Sequence, residues 1–214
     1  MNSKIEFIEK NKIIVIVRGV EKNKLTPLVQ AMYDGGIRLV ENTYDASGKI
    51  PDEEIASNIK MLSDHFGDKM LIGAGTVLTE KQVQLTKDAG GSFIISPDTN
   101  SGVIEKTKAL GMVSIPGALT PTEVASASRY GADFVKVFPV DLYGPGYIKT
   151  LSAPLSHVKM LAVNGISADN MNDYLSAGAY GVGVGSGIVN KSLIADGDFD
   201  AITALAKKYT DALV

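Results

Sequence analysis

Eight short apolar runs, each followed by a segment with the polar stripe of a surface helix, alternate along the whole chain. No linker or change of composition separates them. Parallel strands that helices cover on both faces are expected to be apolar throughout, as these runs are. Eight consecutive strand–helix units favour a closed (β/α)8 barrel, the TIM-barrel fold, over an open doubly wound α/β sheet. The predicted strands are residues 13–17, 39–43, 70–74, 93–96, 113–115, 134–138, 160–163 and 181–184.

We expect one domain over residues 1–214, with a short helix before the first strand. A chain of 214 residues, 45% of them hydrophobic, is long enough for one sizeable core. Thr120, with proline and Glu123 after it, and Ser167 are predicted to cap the helices that follow them. Glycines that follow helical segments are expected to end them in the left-handed conformation; these are Gly35, Gly90, Gly111, Gly131 and Gly178.

The composition excludes several classes of function. A net charge of −3 and a pI near 5.4 argue against a nucleic-acid partner. The absence of cysteine excludes disulfides, thiolate metal sites and cysteine nucleophiles, and two histidines are too few for a histidine-rich metal site. We therefore expect no metal and no cofactor. The first residues lack the apolar core of a signal peptide and no apolar run is long enough for a bilayer, so the expectation is a soluble cytoplasmic protein without a membrane partner.

Lys136 stands alone in an apolar predicted strand that ends at Pro139. A buried, unpaired ammonium group would be costly. One solution is a lowered pKa, which leaves a neutral amine that can attack a carbonyl group and form a Schiff base. The other is an ion pair with a carboxylate inside the barrel. This strand alone leaves both interpretations open.

Polar residues and glycines follow most of the predicted strands. In a (β/α)8 barrel, functional residues lie at the carboxyl ends of the strands, so these residues should share one rim. They carry no strong excess of either charge, which is typical of a small-molecule site. The residues are Arg18, Glu41, Thr43, Gly75, Thr76, Ser96, Pro97, Pro116, Gly117, Asn164, Gly165, Gly185, Ser186 and Gly187.

Several long motifs in order resemble those of one enzyme family. They include Ile16-Val17-Arg18-Gly19, Gly36-Ile37-Arg38-Leu39-Val40-Glu41, Ile72-Gly73-Ala74-Gly75-Thr76-Val77-Leu78, Ile94-Ile95-Ser96-Pro97, Ile115-Pro116-Gly117 and Val135-Lys136-Val137-Phe138-Pro139. The chain resembles the 2-keto-3-deoxy-6-phosphogluconate (KDPG) and 4-hydroxy-2-oxoglutarate (KHG) aldolase family over residues 14 to about 188. The resemblance implies a homotrimeric class I aldolase that cleaves keto acids to pyruvate and glyceraldehyde 3-phosphate, or to pyruvate and glyoxylate.

The resemblance also implies a role for each matching residue. Lys136 would form the Schiff base, and Glu41 would move protons, through a water; the alternative for Glu41 is a counter-ion of Lys136. Thr76 would bind the pyruvyl carboxylate, or merely cap a helix. Arg18 would lie at the mouth, where the alternative is a surface ion pair. Phe138 would pack on the substrate or fill the barrel top.

The remaining substrate contacts implied are Pro97 and two glycine-containing turns. In phosphate-binding barrels, the turns after strands seven and eight offer N–H groups to the anion. The matching residues are Asn164 and Gly165 in one turn and Gly185 and Ser186 in the other. Glycine-rich turns are weak evidence by themselves, because tight loops also use glycine.

The chain departs from the phosphogluconate pattern at two places. Asp45 stands where the family has an arginine that grips the pyruvate carboxylate, so that Arg18 or backbone donors would have to bind it. The family's Pro-Thr-Gly-Gly motif reads Ala162-Val163-Asn164-Gly165. Val163 and the absence of that arginine, with residues 143–149, resemble the 2-keto-3-deoxy-6-phosphogalactonate (KDPGal) subgroup. Asn164 leaves open a polar tail other than phosphate.

Three functions are consistent with the sequence. The first is the class I aldolase for phosphorylated 2-keto-3-deoxy sugar acids, of the gluconate or the galactonate type. The second is a phosphate-binding barrel of another reaction class, in which Lys136 would be a charged electrophile or acid. The third is a catalytically inactive barrel in which Lys136 and Glu41 form a structural pair.

Overall fold

A computed structural model describes residues 3–213, and its strands form a barrel with helices between them. The helices are α1 Ser3–Asn11, α2 Lys22–Asp34, α3 Asp52–Phe66, α4 Glu80–Asp88, α5 Ser101–Ala109, α6 Pro121–Arg129, α7 Pro145–Ser152, α8 Met171–Ser176, α9 Lys191–Asp196 and α10 Phe199–Ala212. The strands are β1 Ile13–Val17, β2 Leu39–Thr43, β3 Leu71–Gly75, β4 Phe93–Ile95, β5 Val113–Ile115, β6 Gly117–Ala118, β7 Val135–Val137, β8 Met160–Val163 and β9 Gly181–Val184.

All strand pairs are parallel, and the hydrogen-bonded order is β5-β4-β3-β2-β1-β9-β8-β7-β6. Strand β5 is the predicted fifth strand, and β6 continues it beyond Pro116, which has no N–H to donate to a ladder; this continuation was not predicted. The first piece pairs with β4 and the second with β7, so one strand joins the two ends of the sheet. The predicted (β/α)8 barrel is therefore confirmed, with eight strand positions around the ring.

The amino-terminal half of the barrel interior is a packed apolar core. Ile14, Phe93, Phe134 and Leu161 belong to one buried cluster that Ile8 of α1 joins from below. The larger cluster lies outside the strands, where alternate strand residues meet the helices. Because the lower half is filled and α1 packs against it, space for a ligand remains at the carboxyl ends of the strands.

Most of the predicted helix signals are confirmed, and two are wrong. Thr120 and Glu123 form a capping box at the start of α6. Ser167 does not cap a helix, because α8 begins only at Met171 and the side chain of Asn170 accepts a hydrogen bond from the Ser167 N–H. Gly35 has an ordinary negative φ of −79°, and Gly36 takes the left-handed conformation instead.

Within the described residues, every helix is too short or too polar to cross a bilayer.

Asp133 connects the strand that carries Lys136 to its neighbours. Its carboxylate accepts a hydrogen bond from the buried N–H of Ser114 on β5 (2.9 Å) and pairs with Lys108 of α5. The Asp133 N–H in turn donates to the Ser114 carbonyl (3.0 Å). The entry to β7 is thus fixed by hydrogen bonds on both sides.

Asp133→Ala should lower the free energy of unfolding by about 1–3 kcal/mol, because the buried Ser114 N–H loses its acceptor. Asp133→Asn is the matched control: its amide oxygen can still accept from Ser114, and only the charge opposite Lys108 is lost. Urea unfolding curves measure both. Equal losses in the two variants would show that the ion pair, and not the hydrogen bond to Ser114, stabilises this corner.

Candidate active site

The carboxyl ends of the strands surround an open cavity of about 590 Å³. All eleven residues that were assigned to catalysis or substrate binding line it: Arg18, Glu41, Thr76, Pro97, Lys136, Phe138, Val163, Asn164, Gly165, Gly185 and Ser186. Of the other residues expected on this rim, Gly187 lines the cavity, and Thr43, Gly75, Ser96, Pro116 and Gly117 do not. The cavity, called the mouth below, also has five lining residues that were not predicted: Ile16, Ala46, Leu78, Ile166 and Gly183. They are apolar residues or glycines, which carry no chemical signal in a sequence.

Lys136 is the middle residue of β7 and points into the barrel. Its neighbours Val135 and Val137 are fully buried in the outer core, as strand alternation requires. The Nζ atom lies 4.7 Å from the centre of the Phe138 ring, within range of a cation–π contact. Burial lowers the pKa of the Lys136 amine, an effect that the Glu41 carboxylate opposes and the Arg18 guanidinium reinforces. A larger fraction of the amine is therefore neutral and nucleophilic than for a surface lysine.

Glu41 lies on β2, four strand positions from β7 in either direction around the ring, and so faces Lys136 across the barrel. Its side chain is only 2% exposed, and burial raises its pKa against the opposing effect of Lys136 and Arg18. Oε2 has no hydrogen-bond partner among the described residues. No ion pair within 4.0 Å joins Glu41 to Lys136 in this part of the chain, so the counter-ion interpretation lacks its contact.

Arg18 and Thr76 are joined by a hydrogen bond at the rim. Arg18 Nη2 donates to Thr76 Oγ1 at 2.9 Å. Thr76 has a left-handed φ of 55°, and the helix that follows it is capped by Thr79 in a capping box with Gln82. The alternative of Thr76 as a helix cap is therefore wrong. Arg18 makes no ion pair among residues 3–213, and its guanidinium is turned into the mouth instead.

The two turns at the far side of the mouth present free backbone donors. The N–H groups of Gly165, Ile166, Ser186 and Gly187 donate in none of the hydrogen bonds found within residues 3–213. Asn164 has a φ of 88°, in the left-handed region that asparagine tolerates better than most residues. A side chain on the next residue, Gly165, would collide with the Cβ of Asp141 at 2.4 Å, so glycine is required there.

Asp45 does not place a charge in the mouth. Its carboxylate accepts hydrogen bonds from the N–H groups of Ser47, Lys49 and Ile50 at 3.0 Å and from the Ser47 hydroxyl. These bonds, led by that of the Ser47 hydroxyl, lower the pKa of Asp45 to about 2. Asp45 lines a neighbouring cavity of about 670 Å³, which shares Arg18 and Ala46 with the mouth. Asp45, which stands where the family has an arginine, therefore stabilises the loop of residues 45–50.

Comparison with known proteins agrees with this site. The family model for KDPG and KHG aldolase matches residues 5–205. The 2-dehydro-3-deoxy-6-phosphogalactonate aldolase of Escherichia coli K12 is 34% identical over 98% of this chain and 100% of its own length. The 2-dehydro-3-deoxy-phosphogluconate aldolase of Treponema pallidum is 32% identical over 95% of this chain and 94% of its own.

A solved structure extends the match to the fold. The KDPG aldolase of Legionella pneumophila, with pyruvate captured as a covalent carbinolamine intermediate, superimposes with a TM-score of 0.85 at 28% identity, covering 95% of this chain and 96% of the other. The family match, the similarity in sequence and the similarity in fold thus each extend along almost the whole length of the chain. The chain belongs to the KDPG and KHG aldolase family.

Proposed function

We propose that this protein is a class I aldolase that cleaves 2-keto-3-deoxy-6-phospho sugar acids to pyruvate and glyceraldehyde 3-phosphate, with Lys136 as the Schiff-base residue. The observation that carries the proposal is the buried amine of Lys136, with its lowered pKa, facing the mouth of an aldolase-family barrel. Because the matching family includes KHG aldolases, we also propose that the protein cleaves 4-hydroxy-2-oxoglutarate to pyruvate and glyoxylate. The same membership supports a cytoplasmic homotrimer.

The reaction begins when the neutral amine of Lys136 attacks the C2 ketone of the substrate. The carbinolamine loses water to give an iminium ion, which accepts the electron pair of the breaking C3–C4 bond and becomes an enamine. The C4 hydroxyl proton passes to a base as the aldehyde forms. Protonation of the enamine at C3 and hydrolysis then release pyruvate and the free lysine.

Glu41 suits the proton transfers of this sequence. Burial raises the pKa of its carboxyl group, so the group holds a proton up to a higher pH than a surface glutamate and is better suited to act as an acid. The absence of an ion pair with Lys136 within 4.0 Å in the described chain leaves room for the substrate carbons or a water between the two groups. A carboxylate that was bonded to the ammonium group would instead stabilise the charged, unreactive amine.

Arg18 and Thr76 together would bind the substrate carboxylate. The guanidinium and the hydroxyl are already 2.9 Å apart at the rim, and an anion beside them would receive a charge-assisted hydrogen bond from Arg18. This arrangement makes up for the missing arginine at position 45. Pro97 and Phe138 line the same region and would pack against the pyruvyl carbons.

The phosphate end of the substrate would bind to backbone N–H groups of the turns at Asn164-Gly165 and Ser186-Gly187. Asn164 stands where the family motif has a glycine, and its left-handed φ of 88° is a conformation that glycine adopts freely. In this interpretation Asn164 allows the backbone to form the turn, and the binding of phosphate does not require the side-chain amide of Asn164. The substituted position is therefore compatible with a phosphorylated substrate.

Treatment with pyruvate and sodium borohydride should label Lys136 by the mass of a reduced pyruvyl adduct, and Lys136→Arg should be neither labelled nor active. A guanidinium stays protonated and cannot form the imine. Lys60→Arg, at an exposed lysine paired with Asp64, is the matched control and should be labelled at Lys136 like the wild type. Peptide mapping by mass spectrometry locates the adduct; a label at any other lysine, or none, contradicts the proposal.

Asn164→Ala should lower the free energy of unfolding by about 1–2 kcal/mol, the cost of a left-handed alanine, whereas Asn164→Gly should lower it far less. If the turn binds phosphate through its backbone, the KM for the phosphorylated keto acid should also rise less in Asn164→Gly than in Asn164→Ala. An equal rise in both variants would show that the asparagine amide itself contacts the substrate tail.

Val163 presents an apolar wall where the family motif has a threonine hydroxyl, and we expect loose control of the C4 configuration. Gluconate- and galactonate-type substrates should therefore be cleaved with comparable kcat/KM. Val163→Thr should favour the gluconate epimer by about 1–2 kcal/mol if one net hydrogen bond is gained. The measurement is the ratio of kcat/KM for the two pure epimers. A wild-type preference for the gluconate epimer of more than roughly a hundredfold, about 2.7 kcal/mol, would show that another group recognises C4.

A further inference from the structure

Strand β3 contributes no side chain to the mouth beside Glu41. Above Leu71, which packs against the apolar core inside the barrel, its inward-facing positions are Gly73 and Gly75, and Gly73 is the register partner of Glu41 on β2. The Glu41 side chain fills the space that this strand leaves empty. A methyl group added at Gly75 would lie 2.6 Å from Cδ of Glu41 and 2.7 and 2.8 Å from its two carboxylate oxygens. The carboxylate group of Glu41 thus packs directly against the Cα of Gly75, in the space that a side chain would occupy.

The backbone of Gly75 does not itself require glycine. Gly75 is absent from the glycines of residues 3–213 that have a positive φ, and as the last residue of β3 it pairs with Thr43 of β2. Alanine would be compatible with that strand conformation. The three atoms nearest to an added Cβ all belong to the Glu41 carboxyl group, so the space that this group occupies is what disfavours a side chain at Gly75.

The charges around Glu41 lie on the sides away from β3. Among the residues that line the mouth, Arg18, Glu41 and Lys136 are the charged ones. Arg18 follows β1, on the other side of β2 from β3, and Lys136 faces Glu41 across the barrel. A carboxylate displaced from Gly75 would therefore move toward one of the two cations.

We infer that Gly75 is a positioning residue for the aldol reaction: its missing side chain holds the Glu41 carboxylate against β3 and out of an ion pair with Lys136. The inference rests on the proposed function, because it concerns the acid that serves the Schiff-base lysine. A contact of 2.6 Å between carbon atoms is far too short, so a Cβ at this position forces the carboxylate to shift. A closer carboxylate stabilises the ammonium form of Lys136 and raises the pH at which the amine becomes nucleophilic.

The experiment measures the rate of borohydride trapping with pyruvate as a function of pH in the wild type and in Gly75→Ala. We expect the midpoint for Gly75→Ala to lie about one pH unit higher, because an opposite charge that moves closer raises the pKa of the amine. Its kcat/KM for the keto acid should fall roughly a hundredfold, as for a misplaced catalytic group. Gly73→Ala is the control on the same face of the strand: the three atoms nearest to its methyl group belong to the Phe93 ring, the first at 2.4 Å, so the methyl group would displace that ring before the Glu41 carboxylate and the midpoint should not move.

A second variant tests the contact itself. Glu41→Asp shortens the acid by one methylene and should relieve the collision, so the double variant Gly75→Ala/Glu41→Asp should have the midpoint of Glu41→Asp alone. If Gly75→Ala does not fold and the double variant does, the collision is supported; if neither folds, the inference is wrong, because the shortened acid should clear the methyl group. Thermal unfolding of each variant gives this readout.

The outcomes separate the two proposals. Wild-type protein that is not labelled at Lys136 overturns the proposed function, and the inference with it. Wild-type protein that is labelled, with Gly75→Ala showing an unchanged midpoint and unchanged kcat/KM, overturns the role of Gly75 and leaves the aldolase mechanism standing.

Discussion

The site depends on two opposite charges that are buried at the mouth of the barrel without touching each other. Desolvation lowers the pKa of Lys136 and raises that of Glu41, while the attraction between the groups opposes both shifts. If they were in contact, attraction would prevail and the amine would stay protonated. If they were far apart, neither charge would stabilise the other, and burial would favour the neutral form of both groups. The separation seen here, beyond 4.0 Å but close enough for mutual influence, is the one that the proposed mechanism requires of a nucleophilic amine and a proton-transferring acid.

We infer that strand glycines, which lack side chains, help to keep Lys136 and Glu41 apart. The lower half of the interior is filled by large side chains such as Phe93 and Phe134, and α1 packs against it. In the upper half, glycines replace side chains at positions that face inward. Gly75 makes room for the Glu41 carboxylate, and Gly183 for Val163, whose Cγ2 would be 2.8 Å from an added methyl group. The side chains of Glu41 and Val163 therefore pack against strand positions that have no Cβ, while the close-packed layer beneath gives them a rigid base.

Much of this arrangement could be predicted from the sequence, and what could not has physical causes. Apolar runs, the capping box at Thr120, the glycines after helices and the isolated Lys136 are local signals, so most strands, the start of α6, several helix ends and the inward lysine were predictable. The break in the fifth strand at Pro116 depends on two different pairing partners, which no local pattern encodes. The Arg18–Thr76 hydrogen bond spans 58 residues, and its geometry follows only from the closed ring. Lining residues such as Ala46 and Leu78 were missed because small and apolar side chains carry no chemical signature.

The two departures from the family pattern have a common explanation. Asp45 replaces a cation with an anion, yet its negative charge is stabilised by hydrogen bonds from the backbone N–H groups of residues 47, 49 and 50. Asn164 replaces glycine with a polar side chain, yet it takes up the left-handed turn that glycine would form. In both cases the side chain stabilises or permits the local backbone conformation and does not contact the ligand in the proposed mode of binding. A change of residue type at these positions therefore does not by itself imply a different ligand. What decides the chemistry is which groups reach the mouth, and there Lys136, Glu41 and Arg18 are the charged ones among the lining residues.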